Sequence, residues 1–144
     1  MKKLALVAFV AALAAPAALG SPAVERDYTA ALTGAAEAPG PGAPSGRATA
    51  SVTIDAATGE LCWRITGRRN LGGKPNAAHI HKGRAGRPGA VVIPLGATYR
   101  ARGCTTAGKA LLRAIVAHPG RYYVNVHNAA YPAGAVRGQL MLAY

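Results

Sequence analysis

Three histidines stand out as groups able to bind a metal ion. His79 and His81 form an H-x-H pair in a short apolar run, and His127 ends a second run with alternating side chains. Residues i and i+2 of a β-strand lie on one face, about 6.5–7 Å apart, so two such imidazoles can converge on one ion. If the two runs are neighbouring strands, all three imidazoles meet. Neutral imidazoles without a thiolate or carboxylate predict a copper or zinc site.

The same histidines also have a structural interpretation, which the spacing leaves open. Imidazoles of this kind can lie on a solvated sheet face or hydrogen-bond to loop carbonyls. The runs that contain the pair and His127 include no fourth ligand and no acidic residue to orient an imidazole. His118 precedes Pro119 at the end of a helix-like run, where we expect it to interact with the helix dipole instead.

Catalytic chemistry finds little support in the sequence. The five acidic residues all precede the histidines in the chain: Glu25, Asp27, Glu37, Asp55 and Glu60. The serine-hydrolase elbow, the P-loop, the dinucleotide-binding loop and the H-E-x-x-H zinc motif are all missing from the sequence. We therefore predict a binding module that is not an enzyme.

Residues 1–23 are typical of a secretory signal peptide. Two lysines precede an uncharged run over 4–20, and small residues permit cleavage after Gly20 or after Ala23. A membrane anchor is the competing interpretation, but this run is near the lower length limit for a membrane span. Cleavage predicts a secreted protein, extracellular or in the cell envelope or periplasm, without a transmembrane segment.

Export changes what the two cysteines are expected to do. Cys62 and Cys104 are the only cysteines in the sequence. An oxidising compartment favours one disulfide between them. A metal-binding or redox role is the alternative, although the sequence has no C-x-x-C motif.

The sequence is strongly basic, with 17 Lys+Arg against 5 Asp+Glu and a net charge of +12. Removal of the two leader lysines leaves 15 minus 5, or +10. Basic residues cluster around and after the H-x-H pair: Arg68, Arg69, Lys74, Lys82, Arg84, Arg87, Arg100, Arg102, Lys109 and Arg113. The alternative function is therefore docking on an anionic envelope polymer or an extracellular protein, while a merely solvated surface is also open. Without an aromatic-interleaved basic stripe, no nucleic-acid partner is expected.

Short strands must position these residues. Runs 47–55 and 61–66 alternate apolar and polar residues around a turn and predict a hairpin. The other predicted strands are 28–33, 77–81, 90–95, 121–128 and 135–143, with loops at 68–74 and 83–89 and one helix at 109–118. This spacing predicts an all-β antiparallel sandwich or Greek-key barrel with one short helix.

Two long motifs resemble the CHRD domain family, named after chordin. Segment 77–92 contains AAHIH, a Gly-rich loop and GAVV, and is similar to the family's AHIH-G-x-x-G-x-x-G-x-V motif. Segment 122–140 contains YYVNVHN and PAGAVRGQL, and is similar to its closing YVNVHT-x-x-x-P-x-G-x-IRGQ motif. The opening segment 32–39 fits as well. The resemblance covers residues 28–144 and implies a single-domain secreted member of bacterial type.

The resemblance implies a Greek-key β-sandwich of immunoglobulin-like or superoxide-dismutase-like type. The dismutase layout uses an H-x-H pair for copper, which strengthens the expected copper or zinc site at the three histidines. A copper-only dismutase-like enzyme is the less favoured alternative, because the carboxylate-containing zinc subsite of such enzymes is missing. The antagonist role of chordin is not carried over, because this chain lacks its cysteine-rich modules.

Four residues of the closing motif are predicted to be structural: Asn125, Arg137, Gly138 and Gln139. We expect the arginine and the glutamine to hydrogen-bond the loop after His81, and the glycine to allow a close approach of the backbone. A substrate-binding role for this motif is the alternative interpretation.

Overall fold

The alternating runs fold into one antiparallel sheet of nine strands. The computed structural model describes residues 25–144, so the predicted signal peptide lies outside the described residues. The strands are β1 (Arg26–Thr33), β2 (Arg47–Asp55), β3 (Glu60–Arg69), β4 (Pro75–Lys82), β5 (Ala90–Pro94), β6 (Arg102–Thr106), β7 (Tyr122–Asn128), β8 (Val136–Gln139) and β9 (Met141–Leu142). One helix, α1 (Lys109–Ala117), and two short 3-10 turns, Gly34–Ala36 and Pro119–Arg121, complete the fold. The all-β prediction is confirmed.

The sheet order is β5-β4-β7-β8-β1-β2-β3-β6, and β9 pairs with β1. The sheet curls into a half-barrel, a sandwich-like arrangement around one core. That core contains Tyr28, Leu32, Val52, Ile54, Leu61, Trp63, Ile65, Ile80, Val124, Val126 and Leu140. The β4–β7 and β8–β1 pairings join strands that are far apart in sequence. Over residues 25–144, no helix has the length and apolar character needed to cross a membrane.

The structure corrects three strand predictions. β3 continues to Arg69 into the predicted loop, because Arg69 pairs with Arg47 beyond a register shift. β6 was not predicted, because its residues alternate between exposed and half-buried positions without an apolar pattern. The predicted strand 135–143 is divided into β8 and β9 by the buried Leu140.

The predicted disulfide between Cys62 and Cys104 is confirmed. The two cysteines are register partners on β3 and β6, and their Cα atoms are 4.0 Å apart. The bond therefore fastens an edge strand to the sheet across a separation of 42 residues. On the opposite side of β3, Leu61 and Trp63 are buried in the core.

Helix α1 packs through Leu112 and Ile115, both of which are fully buried. It ends one residue earlier than predicted, at Ala117, and His118 is the C-cap. Pro119 cannot continue the helix, because its ring removes the backbone donor and clashes with the preceding turn. The chain then enters β7 and returns to the histidine-containing part of the sheet.

Candidate metal centre

Strand β7 positions the site and is buried on both faces. Every residue from Tyr122 to Asn128 is buried. Tyr122, Val124 and Val126 belong to the hydrophobic core. The intervening residues point to the opposite face, where the loop 83–89 and the turn around Pro132 cover them. The second face of this strand is therefore also buried, and polar side chains line it.

The pairing of β4 with β7 brings the three predicted ligands together. In this register His79 lies opposite Asn125, and Ala77 lies opposite His127. Nδ1 of His79 is 3.0 Å from Nε2 of His127. One candidate ligand atom from each of His79, His81 and His127 lies within 4.8 Å of the others. Two imidazoles close in sequence and one from 48 residues away thus share one site.

Backbone carbonyls fix the tautomers of two of these imidazoles. The Nδ1 atom of His81 is 2.8 Å from the Gly89 carbonyl oxygen, and that of His127 is 3.0 Å from the Pro132 carbonyl oxygen. A carbonyl oxygen only accepts, so Nδ1 carries the proton in the neutral ring and Nε2 keeps its lone pair. Nε2 of His81 is buried and has no hydrogen-bond partner among residues 25–144. Orientation of this kind is typical of histidines that ligate metals.

The site favours neutral imidazoles. Burial, together with the charges of the neighbouring His127 and His81, lowers the pKa of His79 from 6.5 to about 4. Burial also lowers the pKa of His127, against an opposing effect of its hydrogen bond to Pro132. Because only a neutral imidazole can ligate a cation, His79 and His127 are in the competent form at neutral pH.

The geometry accommodates a tetrahedral ion after a small adjustment. Ligand nitrogens at about 2.0–2.1 Å from zinc lie about 3.3 Å from one another. The nitrogens of His79 and His127 are already 3.0 Å apart. The widest separation in the group, up to 4.8 Å, exceeds this spacing by about 1.5 Å, so an ion requires the imidazoles to move closer together. The Asn125 side-chain oxygen, 2.9 Å from Nε2 of His127, is a further donor atom at the site.

Arg137 lies beside this group and is only 1% exposed. Its guanidinium stands 3.4 Å from the centroid of the Tyr123 ring, and His81 stacks on the same ring at 4.7 Å. The guanidinium donates to the carbonyls of Arg84 and Arg87 at 2.7 and 2.8 Å. Arg137 therefore holds the loop that supplies the Gly89 carbonyl to His81.

Gln139 and Gly138 complete this attachment. The Gln139 amide lies within donating distance of the carbonyls of Gly83 and Gly120, at 3.0 and 2.8 Å. A Cβ atom at Gly138 would clash with the carbonyl oxygen of Ala31 on the neighbouring strand. The structure thus places the arginine and the glutamine against the loop after His81, and the glycine at a close approach of two backbones.

Sequence reasoning missed Glu37, because it placed every acid away from the histidine-containing runs. Glu37 belongs to the loop between β1 and β2 and lies against Gly134, just before β8, the strand that pairs with β1. Burial raises its pKa from 4.5 to about 7, although the charge of Arg137 and the Ala38 N–H act in the other direction. Its position in the CHRD-like opening segment 32–39 was the available signal.

A profile of the CHRD domain matches residues 28–140, which contain the three histidines and the Arg137–Gln139 segment. The chain belongs to the CHRD domain family. CHRD domains are extracellular-type modules, and the family is a non-enzymatic one. Searches of curated proteins and of solved structures gave no match. For this CHRD domain, the function must therefore be argued from the geometry of its own side chains.

Proposed function

We propose that this CHRD domain is an exported binding module that holds one copper or zinc ion through His79, His81 and His127. The observation that carries the proposal is the buried Nε2 lone pair of His81, which has no hydrogen-bond partner and faces two further imidazoles. An unpaired buried acceptor is unfavourable, and a cation shared with its neighbours removes that penalty.

The donor set decides the class of ion. The group consists of imidazole nitrogens only, without a thiolate or a carboxylate. Such ligands suit copper and zinc, whereas calcium and magnesium require oxygen donors. A bound ion supplies a cross-link between β4 and β7, and the role proposed here is binding without catalysis.

The test is calorimetric titration of the disulfide-bonded protein with Cu(II) and, separately, Zn(II). The variants are His79→Ala/His81→Ala and, as a matched control, His118→Ala, which removes an exposed histidine outside the group. We expect one-to-one binding tighter than micromolar, lost in the double variant and retained in the control. Equal and weak binding by all three proteins would contradict the proposal.

A spectroscopic measurement separates specific ligation from adventitious binding. Nitrogen hyperfine structure in the electron paramagnetic resonance spectrum of the Cu(II) complex reports imidazole ligands directly. We expect His127→Ala to change this spectrum, because this residue lies on a different strand from the H-x-H pair. An unchanged spectrum would exclude His127 from the ligand set.

Export is the second part of the proposal. The disulfide and the extracellular character of CHRD domains support it. Expression of the full chain with recovery from the periplasm or medium tests it, and sequencing the N-terminus locates the cleavage. A mature chain beginning at Ser21 or Val24 is the expected result, and an intact Met1 on membrane-retained protein would contradict it.

A further inference from the structure

A surface pocket of about 380 Å³ lies where β4 ends, and none of its lining residues belongs to the three-histidine group. Four residues line it, Lys82, Gly83, Arg84 and Arg121, and none is acidic. The three cationic residues are exposed. They line the pocket from the end of β4, from the loop after it and from the turn before β7.

Polar groups hold the backbone on both sides of this pocket. The Gly83 N–H donates to the Arg121 carbonyl at 2.8 Å, which joins the two segments directly. Behind them, Gln139 lies within donating distance of the carbonyls of Gly83 and Gly120, and Arg137 donates to that of Arg84. The cationic side chains therefore project from a fixed frame, which reduces the ordering entropy that a ligand must overcome.

Three cations around one pocket repel one another, and an anion between them removes this repulsion. Two of the three are arginines, whose planar N–H groups match the oxygens of phosphate and sulfate, and lysine adds a point charge. Three donor groups can serve three oxygen atoms, which a tetrahedral oxyanion offers and a carboxylate does not.

We propose that this pocket, formed by Lys82, Arg84 and Arg121, binds a phosphate or sulfate group. Its volume of about 380 Å³ exceeds that of a free oxyanion and lies in the range of small-molecule sites. The ligand class is accordingly a small phosphate or sulfate ester, with the free ion as the other source of the same chemistry. This inference does not depend on the metal site.

The experiment is titration of chelator-treated protein at low salt with inorganic phosphate, inorganic sulfate, glucose 6-phosphate and acetate. Binding is followed by calorimetry and by the amide resonance of Gly83. The test variant is Arg84→Ala/Arg121→Ala, which leaves the backbone hydrogen bonds in place. The control is Arg64→Ala/Arg102→Ala, an exposed pair on β3 and β6 with the same change in charge.

We expect saturable binding of phosphate and sulfate, at least tenfold tighter than binding of acetate. The test variant should weaken it at least tenfold, and the control should stay within twofold of wild type. Tighter binding of glucose 6-phosphate than of inorganic phosphate supports an ester ligand, and equal binding supports the free ion. Equal weakening of anion binding in the test variant and in the control would show that binding depends only on net charge, and would overturn the proposal. Non-saturable binding would overturn it as well. A melting temperature common to all three proteins shows that the fold is retained.

Discussion

Replacement of Glu37 by Gln tests how burial of the Glu37 carboxyl group affects the stability of the fold. One oxygen of the Glu37 carboxyl is buried without a hydrogen-bond partner, and burial raises the pKa of the group from 4.5 to about 7. The nearby charge of Arg137 lowers this pKa, but the desolvation effect is larger. The Glu37→Gln variant keeps the shape of the side chain and cannot ionise.

The direction of the pH dependence follows from which state, folded or unfolded, loses the Glu37 proton at the lower pH. Below pH 4.5 Glu37 is protonated in both states and contributes nothing. As pH rises towards 7, the unfolded chain ionises first, so the folded domain loses stability relative to it. A rise in pKa from 4.5 to about 7 corresponds to about 3 kcal/mol at 1.36 kcal/mol per pH unit. Glu37 is only partly buried, so solvent screening reduces the expected loss to about 1.5 kcal/mol.

The assay is urea unfolding at pH 5 and pH 8, for wild type, Glu37→Gln and the exposed control Glu25→Gln. His79 and His127 have lowered pKa values, so their contribution is lost as pH falls below 6.5 and opposes that of Glu37. All three proteins carry these histidines, and differences between them isolate the carboxyl group. From pH 5 to pH 8 we expect the free energy of unfolding of Glu37→Gln to rise by about 1.5 kcal/mol relative to that of wild type. That of the control should not change relative to wild type. The reasoning is refuted if the difference between Glu37→Gln and wild type is the same at both pH values.

Three further predictions concern the backbone, the disulfide and the ion. Gly138→Ala should lower the free energy of unfolding by about 2 kcal/mol or more, because the new Cβ clashes with the Ala31 carbonyl; urea unfolding checks this, and a loss below about 0.5 kcal/mol contradicts it. Reduction of the Cys62–Cys104 disulfide should lower the free energy of unfolding by about 4 kcal/mol, because the bond restricts a loop of 42 residues in the unfolded chain. Equal stability with and without reductant contradicts this prediction. Zinc affinity should fall as pH is lowered from 7 to 4, because protons then compete with zinc for the imidazole nitrogens, and the lowered pKa values of His79 and His127 move their part of this fall to the acidic end of the range. Competition titration measures the fall, and a pH-independent affinity contradicts histidine ligation.

The periodicity of the sequence was enough to predict the local faces of the strands. Run 47–55 is a strand with the predicted bounds, and its apolar residues are buried. The H-x-H pair lies on β4 with the fully buried Ile80 between its members. Both results depend on the alternation of side chains along a strand, which a single segment contains in full. The disulfide was predictable for a simpler reason, since Cys62 and Cys104 are the only cysteines.

The neighbours of each strand were decided only by the tertiary structure. His127 meets His79 because β4 pairs with β7 across 48 residues, and no local pattern encodes that pairing. Long-range packing likewise buries the second face of β7 and brings Glu37 against Gly134, which is distant from it in sequence. Alternation along a strand sets the direction of each side chain. Closure of the curled sheet around one core determines which side chains meet, and thereby their solvation and their pKa values.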